Sequence, residues 1–200
     1  MCQRTKLPGI GYGHLPPQNA ILTPWFELAF DLIGPWQVTI GSWVLSFQAL
    51  TCIDTGTSLA EVICINNTSS KHISMLFENN WLARYPWPSH CVHNNGGKFM
   101  GAAFLHMLHA NGIKDVTTTV KNPQANAICE RLHQSISNSL RTMIHTYPPN
   151  SMDQINDIMD TCFVTATYAS RVAVHCTLHM SPCTFIFQRD MILNTPLITD

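Results

Sequence analysis

The run WFELAFDLI, from Trp25 to Ile33, constrains the fold of this 200-residue chain more than any other segment. It is apolar on both alternating faces, which is typical of a strand at the centre of a sheet. Gly34-Pro35 is predicted to end this strand, because the pair forms a strong turn signal. The length is sufficient for one domain with a sizeable core and leaves little room for two.

The segments that follow predict a mixed sheet with helices on both faces. Residues 43–53 and 59–65 resemble strands, a short strand ends at His93, and a Thr- and Val-rich strand covers 113–120. Apolar side chains every three or four residues predict helices through Trp81, over 99–110, after Pro123 and between 151 and 175. The resulting order is three strands in a meander followed by alternating helices and strands. This order predicts an α/β fold of three layers, α/β/α, around five strands.

Charge is scarce in this chain. It has 11 Lys and Arg against 12 Asp and Glu, and charged residues make up 12% of the total, about half the usual ~25%. This composition excludes a disordered polyelectrolyte and gives no overall sign of a nucleic-acid binder. No apolar run reaches the ~18 residues of a membrane span, and the first twenty residues hold no signal-peptide core. We therefore expect a soluble, intracellular protein without a membrane partner.

The eight cysteines and ten histidines do not form a recognisable metal motif. No two cysteines have C-x-x-C spacing, and the seven after Cys2 are expected to be small buried hydrophobic residues. Histidine pairs at 90/93, 106/109 and 175/179 lack the glutamate of an H-E-x-x-H motif. No zinc site is expected.

Two acids and one glycine-rich turn are the local features that could carry chemistry. Asp31 lies near the end of the central strand, where it could cap a turn or serve a site. Glu130 lies early in the longest predicted helix and off its apolar stripe, where the helix dipole would favour it even as a solvated acid. Between them, CVHNNGGKF at 91–99 is a strand that enters a glycine-rich turn before a helix. Each local pattern alone is compatible with a purely structural role and with a functional site.

Taken together, four segments make the chain resemble the integrase core of retroviruses and long-terminal-repeat retrotransposons. They are PWFELAFDLIGPW at 24–36, CVHNNGGKF at 91–99, NGIKDVTTTVKNPQANAICERLHQSI at 111–136 and HCTLHMSPCTFIFQRD at 175–190. The resemblance implies a ribonuclease-H-like fold with an Asp, Asp, Glu triad, whose last two members are separated by 35 residues. Asp31 matches the first acid and Glu130 the third. Asn94 stands at the middle position, with 35 residues between it and Glu130.

The resemblance also implies a site for two Mg²⁺ or Mn²⁺ ions, with Asp31 bridging them and positions 94 and 130 completing the two sites. Such ions activate the attacking oxygen and stabilise the leaving oxygen of a phosphodiester. Mg²⁺ prefers carboxylate oxygens, and Asn94 offers only an amide dipole. Lys98 adds a positive charge where an acid often follows the glycine turn. We therefore expect 3′-end processing and strand transfer to be impaired. A DNA- or chromatin-binding module of the same fold without catalysis is the alternative.

The resemblance further implies DNA as partner, a possible homo-oligomer and a nuclear location. The side chains expected to contact DNA are polar or basic and cluster around the start of the long helix: Lys98, Lys114, Lys121, Asn122, Gln124, Asn126, Arg131, Gln134 and Arg141. We expect residues 1–22 to form a linker that begins with a remnant of a preceding zinc-binding module, 23–190 the core-like domain, and 191–200 a C-terminal tail. An unrelated ribonuclease-H-like nuclease is disfavoured by the NPQANAICER segment and by the 35-residue spacing.

Overall fold

The computed structural model describes residues 23–94, 96–117, 123–176 and 178–191, without the side chains of 123–127. Its five strands form one mixed sheet in the order β3-β2-β1-β4-β5. The strands are β1 Glu27–Ile40, β2 Trp43–Asp54, β3 Ala60–Ile65, β4 His90–His93 and β5 Lys114–Thr117. Strands β1, β2 and β3 pair antiparallel, and β4 lies parallel to both β1 and β5. The predicted central strand is therefore the middle of the sheet.

Five α-helices accompany the sheet in the described ranges. They are α1 Ser70–Phe77, α2 Ala102–Ala110, α3 Pro123–Thr146, α4 Met152–Val172 and α5 Pro182–Phe187, and a π-helical turn, Glu78–Leu82, continues α1. Helix α2 begins three residues later than predicted. The short α5 was not predicted, although Ser181 caps it and Pro182 occupies its first turn, a sequence signal that was available.

Alternate residues of the central strands lie in hydrophobic clusters on opposite faces of the sheet, which confirms the predicted layers. Leu28 and Phe30 of β1 belong to a cluster with side chains of α1 and α2. Ala29, between them, belongs to a cluster with Cys129 of α3. A third cluster joins β1 and β2 to α3 and α4 around Ile136. Because successive side chains point to opposite faces, a strand apolar on both sides requires helices on both sides.

Strand β1 does not end at Gly34-Pro35, as the sequence predicted. It shifts register between Ile33 and Trp36 and then continues along β2 to Ile40. Gly34 has φ +104°, and a Cβ there would lie 2.7 Å from the carbonyl oxygen of Phe47, so only glycine fits this close approach. The turn signal therefore marks a β-bulge, and the β1–β2 hairpin extends beyond the rest of the sheet.

Other expectations need smaller corrections. Five cysteines are buried as predicted, but Cys64 and Cys176 are exposed. The sequence predicts that Tyr147, four residues after Met143, continues the apolar stripe of the long helix. The structure instead leaves Tyr147 73% exposed, because α3 ends at Thr146. The expected linker and zinc-module remnant at 1–22 lie outside the described residues, as does nearly all of the expected tail. In the described part of the chain, no helix has the length and apolarity needed to cross a membrane.

The start of α4 offers a test of local stability. The Ser151 hydroxyl accepts a hydrogen bond from the Gln154 backbone N–H at 3.3 Å, and the Gln154 side chain accepts one from the Asn150 backbone N–H at 2.8 Å. Ser151→Ala is expected to lower the free energy of unfolding by about 1 kcal/mol, the usual cost of a lost N-cap. Urea denaturation measures this change. Ser139→Ala, at an exposed position within α3, is the control and should change it by less than about 0.5 kcal/mol; equal losses would contradict the cap.

Candidate active site

Two of the predicted site residues meet at the carboxyl end of β4. Phe30 of β1 lies opposite His93 of β4 in a parallel pair, so Asp31 and Asn94 follow side by side. The Asn94 side-chain amide, through Nδ2, donates a hydrogen bond to Asp31 Oδ1 at 3.2 Å. The middle position of the implied triad is thus a hydrogen-bond donor to the first acid.

The orientation of the Asn94 amide is set from both sides. Its Oδ1 accepts a hydrogen bond from the Gly96 backbone N–H at 3.1 Å, while its Nδ2 faces Asp31. A flipped amide would set its oxygen against a carboxylate oxygen and its NH₂ against an N–H. A Cβ at position 96 would lie 2.8 Å from Asn94 Oδ1, so a larger residue there would displace the Asn94 amide. The turn therefore holds the amide nitrogen toward Asp31.

A second set of hydrogen bonds connects Asp31 to α3 through His133. The Thr51 hydroxyl donates to the Asp31 carbonyl oxygen at 3.1 Å, so its own oxygen is left to accept from His133 Nε2, 2.9 Å away. With the proton on Nε2, the neutral ring turns an unprotonated Nδ1 toward Asp31 Oδ2, at 3.9 Å. Histidine tautomers are inferred from such networks. This one contributes no positive charge to Asp31.

The pKa directions at this edge agree with a neutral His133. Burial lowers the pKa of His133 and outweighs the opposing effect of Asp31 and Glu130. Burial, with Asp31 and Glu130 nearby, raises the pKa of the Cys129 thiol to about 12. These directions favour a neutral imidazole and a protonated thiol at this edge near pH 7.

A buried histidine supports the backbone at Asn94. His93 Nδ1 lies 2.7 Å from the Asn94 carbonyl oxygen, and His93 Nε2 lies 2.6 Å from Asp115 Oδ1 on β5. The His93 ring also packs against Phe99 and Phe104. These contacts fix the end of β4 to β5 and α2, and so position the residue that follows.

Glu130 lies exposed on α3, one helical turn before His133. Its charge acts on both Cys129 and His133, which places it at the same edge as Asp31. His133 was not among the site residues predicted from the sequence. Its spacing of three residues from Glu130 was a usable signal, because such residues are neighbours on a helix.

The donor set does not fit a pair of Mg²⁺ or Mn²⁺ ions. Asp31 Oδ1 accepts hydrogen bonds from the Leu32 backbone N–H at 2.8 Å and from Asn94, and Asn94 turns its nitrogen, which cannot ligate, toward the acid. Within the described ranges, no group of three His, Cys, Asp or Glu side chains is arranged to hold a metal ion. Hard cations need several oxygen ligands at short range.

Of the residues expected to contact DNA and described, the structure places Lys98 beside this edge, whereas Lys114 pairs with His90 at the opposite end of β4. Lys98 lies half-buried in the turn after Asn94, Lys114 is exposed at the start of β5, and Arg131, Gln134 and Arg141 are exposed on α3. Lys121 and Asn122 lie outside the described residues, and the side chains of Gln124 and Asn126 are also not described.

Comparison with solved structures shows the fold of retroviral integrase cores. The catalytic core of BIV integrase matches with a TM-score of 0.60 at 14% identity, over 82% of this chain and 95% of that one. The HTLV-2 integrase core in complex with magnesium matches with a TM-score of 0.57 at 17% identity, over 80% and 94% of the two chains. The integrase of a simian T-cell lymphotropic virus intasome, in complex with the PP2A regulatory subunit B56 gamma, matches with a TM-score of 0.64 at 16% identity, over 98% and 66%.

No family model and no curated protein sequence matches the chain. The structural matches bear out the predicted ribonuclease-H-like fold and its mixed five-stranded sheet. At identities below 20% these matches show the fold alone, and the chemistry depends on the residues of this chain.

Proposed function

We propose that this chain is the integrase-type domain of a retrotransposon, that residues 23–190 bind DNA in the nucleus, and that Asn94 has disabled strand transfer. The ancestral reaction joins element ends to a target duplex with two divalent ions. The HTLV-2 core is in complex with magnesium, which supports the inference that the Asp31 edge derives from a metal site of this kind. With strand transfer disabled, the present chain would act as the DNA- or chromatin-binding module of the same fold that the sequence left as the alternative.

The observation that carries the proposal is the hydrogen bond from Asn94 Nδ2 to Asp31 Oδ1. An aspartate at position 94 would direct a second negative oxygen into this space. The asparagine directs a donor there instead, and the glycine turn fixes that donor. Asp31 Oδ1 already accepts two hydrogen bonds from the protein, and the neutral position 94 supplies no charge to hold a cation.

DNA binding is supported by exposed polar side chains beside the same edge. Arg131 and Arg141 have no carboxylate partner among the described residues, so their charge is available to phosphates. Since the whole chain carries a net charge of −1, binding must depend on this local cluster. Phosphate contacts of this kind give affinity without sequence preference.

Binding to a labelled DNA duplex is expected to be weak and strongly salt-dependent. About 3–5 neutralised phosphates would make log K fall against log[salt] with a slope of about −3 to −4. Lys98→Ala combined with Arg131→Ala should weaken binding and reduce the slope by about 2, because each lost phosphate contact removes about one unit. Fluorescence anisotropy at several salt concentrations gives both quantities.

A matched pair of cations elsewhere provides the control. Lys71→Ala combined with Arg84→Ala removes the same charge from α1 and the loop that follows its π-helical turn. This variant should retain most of the affinity and the slope. Binding that does not depend on salt, or that both double variants weaken equally, would contradict the proposed surface.

A further inference from the structure

A cavity of about 630 Å³ lies between α3 and the second half of β1. Its lining includes Trp36 and Val38 from the strand and Ser137, Arg141, Ile144 and His145 from the helix. It exists because β4 pairs with β1 only along Glu27–Phe30. Beyond that point no described strand covers this side of β1.

The lining combines an aromatic ring with basic groups. Trp36 is half-buried and packs on Phe163, with ring centroids 5.6 Å apart. Arg141 is exposed and donates from a guanidinium nitrogen to Asn138 Oδ1 at 3.3 Å, and His145 is exposed on the next turn. Among the described residues that line the cavity there is no carboxylate. Its volume falls within the ~300–1,000 Å³ of small-ligand sites, and its chemistry suits a planar group that carries negative charge.

The cavity and the proposed DNA surface share Arg141 of α3. Glu130, Gln134, Ser137 and Arg141 follow one another at spacings of three or four along α3, and Asn138 joins Gln134 to Arg141 by hydrogen bonds. At 1.5 Å per residue, Arg141 lies about 16 Å along the helix from Glu130. That distance corresponds to about five phosphates of one strand at 3.4 Å rise.

We propose that this cavity is a nucleotide subsite, in which an unpaired base stacks on Trp36 while its phosphate meets Arg141 and His145. The proposal rests on the proposed DNA binding, and it adds that the DNA leaving the Asp31 edge is single-stranded. Proteins that bind single strands combine an aromatic platform with a basic groove in this way. The absence of acids from the lining favours this occupant over a basic peptide.

Titration calorimetry with deoxyadenosine monophosphate, deoxyadenosine and inorganic phosphate tests the subsite directly. We expect the nucleotide to bind more tightly than either part alone. Trp36→Leu should weaken nucleotide binding about 5- to 150-fold, the equivalent of the ~1–3 kcal/mol of one stacked base. Trp36→Phe keeps a ring and should retain most of the affinity, and Arg141→Ala should lower nucleotide affinity to that of deoxyadenosine.

Trp43→Leu is the matched control, since Trp43 is 70% exposed on the same hairpin and outside the cavity. If Trp36→Leu proves unfolded by circular dichroism, Trp36→Phe and Arg141→Ala still decide the matter. Nucleotide binding no tighter than that of phosphate, or equal losses in the two leucine variants, overturns the subsite. Nucleotide binding without duplex binding supports the subsite and overturns the proposed DNA-binding function. Duplex binding without nucleotide binding supports that function and overturns the subsite.

Discussion

Strand transfer by the unmodified chain is expected to remain at background with either Mg²⁺ or Mn²⁺, and Asn94→Asp is expected to raise it by about 10²–10³-fold. Loss of one preorganised electrostatic partner commonly costs ~3–4 kcal/mol of transition-state stabilisation. Asn94 does not provide that partner, because it lacks the negative charge. It also directs a hydrogen-bond donor at Asp31. The measurement is joining of a labelled duplex to a plasmid.

The double variant Asn94→Asp with Asp31→Asn is the control for this gain. It restores the middle acid and removes the first, so joining should return to background. Robust joining by the unmodified chain that disappears on Asp31→Asn would show that Asn94 does not impair the site.

The main features of the fold could be predicted because they depend on strong local patterns. A run apolar on both faces, Trp25 to Ile33, can be stable only between two layers, and the structure buries Phe30 and Ala29 in opposite cores. The stripe of α3 is similarly clear, with Ile136 and Leu140 buried. Periodicity of this kind survives tertiary packing because burial of the apolar face is what stabilises the element.

Features that depend on tertiary contacts could not be predicted. The sequence around Gly34 is compatible with a turn and with a β-bulge, and only the close approach of the Phe47 carbonyl oxygen distinguishes the two. Likewise, the pairing of His93 with Asp115 joins residues from two strands that meet only in the sheet. The 35-residue spacing identified position 94, but the direction of its amide follows from Gly96 and Asp31 together.

The second large effect concerns stability in the presence of metal. Asn94→Asp combined with Lys98→Glu replaces a hydrogen-bond donor with a carboxylate beside Asp31 and turns a neighbouring cation into an anion. Like charges held close destabilise the folded state, so this variant should melt below the unmodified chain in chelator. Mn²⁺ at a hundredfold excess over Kd should then stabilise it by about 2.7 kcal/mol, a rise of roughly 5–10 °C for a chain of this size.

The unmodified chain should hardly respond to the same Mn²⁺, because Asp31 Oδ1 is already hydrogen-bonded and position 94 supplies no carboxylate. Asn67→Asp is the control for added charge, since Asn67 Oδ1 accepts from the Ser69 backbone N–H and an aspartate can do the same. This control should match the unmodified chain.

Thermal melting of these three proteins, each in chelator and in Mn²⁺, is the most direct test of the claim that Asn94 closes the metal site. We expect a large Mn²⁺-dependent rise in Tm for the Asn94→Asp, Lys98→Glu variant alone. An equal rise in the unmodified chain, removed by Asp31→Asn, would contradict it.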